Sequence, residues 1–194
     1  MKKNIYLVCF IVIVLCSSKV FTQNHFVPDT TVNNIFFLYD ASSSESFFPS
    51  MTSVNVLDED FKFLQEQSPF IVFLNVDKTQ YLITFMHEGG VSGAFAEIEI
   101  GYITEEILKE IENKYFETAY EEFQTEGGVK LGMTLENLEA LKGKNYIREG
   151  NIVTYFINDA SSDFLRKYNM PEYFFKCDLL QNKICNLRFG FTYP

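Results

Sequence analysis

Apolar and polar positions alternate most clearly in the middle of the chain. Residues 70–76 (FIVFLNV) and 81–88 (YLITFMHE) are β-branched and aromatic runs separated by the turn-forming DKTQ, and both predict strands. Gly89 and Gly90 lead into residues 91–100, where Phe95, Ile98 and Ile100 mark a third strand, so the three form an antiparallel meander. Further on, YIRE and IVTYFI flank Gly150 and Asn151, a two-residue hairpin signal. Residues 172–180 (EYFFKCDLL) and 183–191 (KICNLRFGF) predict a closing hairpin that turns near Gln181. Residues 34–40 (NIFFLYD) read as a strand, residues 23–31 as a polar, frayed start, and residues 41–46 (ASSSES) as a loop. FKFLQEQ, from Phe61, suggests a short helix begun by Asp58 or Asp60.

The period changes to that of a helix in two places. In GMTLENLEALKG, Thr134 is an N-cap, and Met133 and Leu138 have the spacing of a hydrophobic staple. Leu135, Leu138 and Leu141 then give one apolar face, and Gly143 ends the helix. Thirty residues earlier, Thr104 caps TEEILKEIENKY, with Glu105 and Glu106 near the positive end of the dipole and Asn113 at the terminating position. The echo of Ile103, Leu108 and Ile111 in Met133, Leu138 and Leu141 suggests an internal duplication, with halves at about residues 70–126 and 127–194. No third copy follows, which excludes a solenoid. Residues 116–126 lean to strand, and SSDFLRKYN predicts a short capped helix that Pro171 cannot extend. The predicted fold is α+β: an antiparallel sheet with short capped helices on one face.

The first 22 residues stand apart from this pattern. Lys2 and Lys3 precede an apolar run over residues 5–16, followed by small and polar residues, which reads as a secretory signal peptide cut between Thr22 and Gln23. The run is shorter than the roughly 20 residues of a spanning helix. Cys16 offers an alternative, a lipid anchor, although Leu15 is bulkier than such sites carry. Residues 23–194 then form a single domain, periplasmic or secreted. Losing Lys2, Lys3 and Lys19 takes the 16 basic residues to 13 against 26 acidic, from −10 to −13. That charge excludes binding to a phosphate backbone and keeps an exported domain soluble. With 21 Phe, 11 Tyr and no Trp, the core should be aromatic and rich in strands. Cys177 and Cys185 flank the final turn, an even pair in an oxidising compartment, and predict a structural disulfide.

Chemistry-bearing residues are few. His25 lies in the frayed start. His87 and Glu88 abut a Gly-Gly turn, and Ser92 follows within GVSGA, where Ala94 replaces the second glycine of a nucleophile elbow. Adjacent strand residues point to opposite faces, so His87 and Glu88 cannot share one metal. Glu105, Glu106, Glu110, Glu112, Glu117, Glu121 and Glu122 could include an acid/base pair, but helical acid runs usually form solvated faces. No phosphate loop, dinucleotide fingerprint, zinc spacing or calcium loop occurs, so neither a cofactor nor a metal is expected.

Residues 131–145 (LGMTLENLEALKGKN) resemble the Gly-Met-Thr/Ser…Leu-x-x-Leu-x-Gly-x-Pro element of small Gram-negative envelope proteins, with Asn145 where the pattern has Pro. That family includes the small lipoprotein of the outer-membrane barrel-assembly machinery and β-lactamase-inhibitor-like proteins. The resemblance implies a capped helix packed on an antiparallel sheet, and a function in protein binding without catalysis. The expectation is therefore an exported, non-enzymatic interaction domain that meets another protein by its sheet surface or edge. An inhibitor or immunity-type protein against an exported enzyme is the nearest alternative. A small hydrolase using Ser92 and His87, or a carboxylate pair, is the alternative from another class.

Overall fold

The computed structural model describes residues 26–39, 70–86, 95–112 and 114–192. In chain order the strands are β1 (Thr31–Val32), β2 (Phe36–Phe37), β3 (Phe70–Leu74), β4 (Gln80–Met86) and β5 (Phe95–Tyr102), then β6 (Phe116–Glu117), β7 (Ile147–Glu149), β8 (Ile152–Ile157), β9 (Glu172–Leu180) and β10 (Lys183–Thr192). The helices are α1 (Glu105–Ile111), α2 (Leu135–Lys142) and α3 (Asp163–Tyr168). Among the described residues no helix is long and apolar enough to cross a membrane.

β1 and β2 pair with each other, and the other eight strands form one sheet in the order β6-β3-β4-β5-β10-β9-β8-β7. The meander β3-β4-β5 is present as its alternation predicts, and a second meander, β7 to β10, joins it where Ile98 of β5 faces Phe189 of β10. The sheet is mixed rather than wholly antiparallel, because β6 runs parallel to β3. The connection from β5 to β6 passes through α1, the kind of crossover that returns a chain in the same direction. Residues 118–126, expected to continue a strand, are instead irregular. Buried Asn75 holds this segment: its Nδ2 donates to Glu121 O at 2.7 Å, and its Oδ1 accepts from Thr79 N and Gln80 N.

The helices lie on both faces of the sheet, not on one. Phe70, Val72 and Leu74 of β3 join Tyr81, Ile83 and Phe85 in a cluster closed by Ile111 of α1. Ile71 and Phe73 point the other way, into a larger aromatic cluster that holds Leu135 and Leu138 of α2 and Leu165 of α3. Successive strand residues face opposite sides, so FIVFL, apolar at every position, is a strand buried twice over. A single-faced arrangement would have left Phe70, Val72 and Leu74 in water.

Both threonine caps form. Thr104 Oγ1 accepts from Ile107 N at 3.2 Å, and Thr134 Oγ1 accepts from Asn137 N at 3.3 Å. Gly143 ends α2 with φ 83°, while α1 ends at Glu112 with φ 49°; Asn113, the expected terminator, lies outside the described residues. The parallel between the two helices does not extend to burial. Ile111 is buried and its counterpart Leu141 is 47% exposed, whereas Leu138 is buried and its counterpart Leu108 is exposed. On α2 the inward position beyond Leu138 is taken by Lys142.

Two further expectations are corrected. The frayed N-terminal segment is ordered from Phe26, with Phe26, Asp29 and Thr31 all buried. The disulfide is absent: Cys177 and Cys185 are free thiols. The closing turn has two residues in the left-handed region, Gln181 and Asn182, so Leu180 faces Lys183 and Leu179 faces Ile184. A bulge at Cys185 then shifts the register, and Leu187 stands opposite Cys177. Cys177 is buried in the core, and the Cys185 thiol donates to Asp178 O at 3.3 Å.

Candidate binding face

Glu97 and Glu99 alternate with Ile98 and Ile100 along β5, so both acids leave the aromatic core and emerge on the side of the sheet that carries α1. Arg188 of β10 stands opposite Glu99. Its Nε donates to Glu97 Oε2 at 2.7 Å, a second guanidinium nitrogen reaches the same oxygen, and the group lies 4.3 Å from the Phe85 ring centre. Asn186 Nδ2 donates to Glu99 Oε1 at 2.8 Å and to the Tyr81 hydroxyl at 3.1 Å. The Tyr81 hydroxyl in turn donates to Glu99 Oε1 at 2.8 Å. The Tyr81 ring lies across Gly101, where a Cβ would come within 2.4 Å of it, so the strand position opposite Tyr81 must be glycine. Burial, and then the Glu99 charge, push the Tyr81 phenol up, which keeps it a neutral donor.

This network marks the border between the part of the face under α1 and its continuation over β10, β9, β8 and β7. Strand pairing places Ile147, Ile152, Phe156, Phe174 and Leu180 on that continuation, beside Thr154, Lys176 and Asp178. No buried apolar cluster forms there among the described residues. Ile147 is 57% exposed, Phe156 42% and Leu180 65%. Acids outnumber bases on it: Glu97, Glu99, Glu149, Glu172 and Asp178 against Lys176, Lys183 and Arg188. The result is a preorganised polar patch with an apolar, net-negative surround.

On the opposite face, a buried ion pair joins the N-terminal strap (residues 26–29) to the end of α2. Lys142 Nζ lies 2.7 Å from Asp29 Oδ2, with the two side chains 3% and 1% exposed, and donates to Val27 O at 2.8 Å. Asp29 Oδ1 accepts from Gly127 N at 2.9 Å, and the Tyr173 hydroxyl donates to Asp29 O at 2.6 Å while accepting from Asp29 N at 3.1 Å. Phe26 stacks on Tyr155 with ring centres 4.8 Å apart. Burial raises the Tyr155 and Tyr173 phenols well above their ordinary value.

His25, His87, Glu88 and Ser92 lie outside the described residues. Of the acids singled out in the sequence, Glu105, Glu106 and Glu112 are exposed on and just after α1, Glu117 pairs with Lys78 at 2.6 Å and Glu122 with Lys130 at 2.8 Å. Glu121 and Glu122 help line an open polar hollow of about 620 Å³ beside Asn33 and Asn34. Among the described residues no group of three or more His, Cys, Asp and Glu could hold a metal ion. Glu97, Glu99, Arg188, Asp29 and Lys142 were missed by sequence reasoning. The first two left a signal, two acids in step on an otherwise apolar strand, while Asp29 and Lys142 are more than a hundred residues apart. The chain matches no protein-family model, and no curated protein or solved structure is significantly similar to it.

Proposed function

We propose that the chain is an exported, non-enzymatic binding module whose open sheet face, from β5 across to β7, docks on a basic protein surface. The observation that carries this reading is the exposure of Ile147, Phe156 and Leu180 on the face that holds the Arg188 network, with five acids and three bases on it. Apolar side chains exposed together on a regular surface supply contact area, and a hydrogen-bonded charged centre fixes orientation. The acidic balance selects a partner that brings Lys or Arg to the rim, and the leader-like start and the resemblance of residues 131–145 to envelope interaction proteins point the same way.

The test is capture of the partner by the exported protein, compared with face variants. Phe156→Asp with Ile147→Asp should leave the unfolding midpoint nearly unchanged, because both sites are exposed, and should abolish capture. Leu108→Asp, on α1, should capture normally. Capture by the wild type should weaken as salt rises. Undiminished capture by the double variant would overturn the reading.

A further inference from the structure

We propose that the slot holding Phe26 and Asp29 is a peptide-binding site, filled in this chain by its own N-terminal strap. It takes an extended segment that carries an aromatic ring three residues ahead of a carboxylate. The slot lies on the opposite side of the sheet from the open face and is independent of that reading.

The residues that hold Phe26 to Asp29 fall within 127–175, while Thr30 and Thr31 beyond them bond to Glu126 and pair with β2. Lys142 supplies a buried ammonium, Tyr155 and Phe175 an aromatic seat, and Gly127 and Tyr173 hydrogen bonds. The strap reaches them across sequence separations of 98 to 144 residues, so its local sequence does nothing to form the slot. It is held as a bound peptide is held: by its main chain at Val27 O, Asp29 N and Asp29 O, and by side chains at two anchor positions, with Val27 between them 64% exposed. Pro28 fixes its own φ and so lowers the cost of ordering the segment. Gly127 is required for the carboxylate to enter, since a Cβ there would lie 2.5 Å from Asp29 Oδ1 and 2.7 Å from Lys142 Nζ. A buried ammonium without an anion is strongly unfavourable, so the slot discriminates a carboxylate from its amide.

The test uses the full chain carrying Phe26→Ala and Asp29→Asn, and the synthetic peptides FVPDTT and FVPNTT as probes. FVPDTT should bind and raise the variant's unfolding midpoint, with FVPNTT weaker by about tenfold or more, as expected for loss of a charged hydrogen-bond partner. A folded variant that binds neither peptide, or both equally, overturns the proposal. Should the variant not fold, amide exchange in the wild type decides. The Asp29 and Gly127 amides, which bond within the slot, should exchange through local opening, faster than those of Phe175 and Leu138. Equal protection of all four would mean that the strap is inseparable from the core, and would overturn it.

Discussion

Lys142 is a charged residue built into an aromatic core. Leu135, Leu138 and Lys142 fall at i, i+3 and i+7, so the helical period itself turns Lys142 inward, while Leu141 is carried round to solvent. The sequence contained this geometry, but a lysine beside a leucine reads as the solvated one until its anion is known. The anion, Asp29, sits in a segment without periodicity. Lys142→Met should destabilise the fold by about 3–5 kcal/mol, the effect of leaving one buried charge without its partner. Urea unfolding measures it, and adding Asp29→Leu to the variant should recover much of the loss; a stable single variant would contradict the pair's role. The cysteines make a second residue-scale prediction. Burial pushes both the Cys177 and the Cys185 thiols up, so neither is a ready nucleophile, and Cys185 is the more accessible of the two. Native protein should be alkylated at Cys185 before Cys177, denatured protein at both, and reductant should leave the intact mass unchanged.

Between elements, what could be read was what is local. The meander β3 to β5, the hairpins around Gly150 and Gln181 and the two threonine-capped helices depend on alternation, turn residues and caps within a few positions of one another. Which face each helix covers depends on the parity of β3 and on where the crossover through α1 deposits it, and neither is a local property. The apparent equivalence of α1 and α2 failed for that reason. Their caps obey the same rule, but the faces they bury are set by different neighbours. Thr104→Ala and Thr134→Ala should each cost about 1 kcal/mol. Ile111→Ala and Leu138→Ala should each cost about 2–5 kcal/mol, while Leu108→Ala and Leu141→Ala should stay within about 0.5 kcal/mol, as exposed positions do. Equal losses at Leu138 and Leu141 in denaturant titrations would restore the equivalence and contradict the two-faced packing.

At the level of the whole molecule, the buried phenols and thiol set the response to alkali. Tyr81, Tyr155, Tyr173 and Cys177 all have folded values raised above their ordinary 10.0 and 9.0, chiefly by burial. Above about pH 9 the unfolded chain therefore holds fewer protons than the folded one, and stability falls as pH rises. Below that pH these groups are protonated in both states and their contribution is constant. Unfolding free energy measured from pH 8 to 11 should be flat at first and then decline; an increase would contradict the burial of these rings. Among the described residues no helix packs on the half of this sheet face over β9, β8 and β7, and no sequence pattern announces it, because Phe156, Phe174 and Lys176 read as ordinary strand residues until the position of α1 is known. That face is the docking surface we propose. Its most direct test places a photo-crosslinking phenylalanine analogue at position 156 of the full chain, with the same probe at position 108 as a control. A discrete protein adduct is expected at 156, suppressed by excess wild-type protein but not by the Ile147→Asp, Phe174→Asp variant, and none at 108. An adduct at 108 and none at 156 would contradict it.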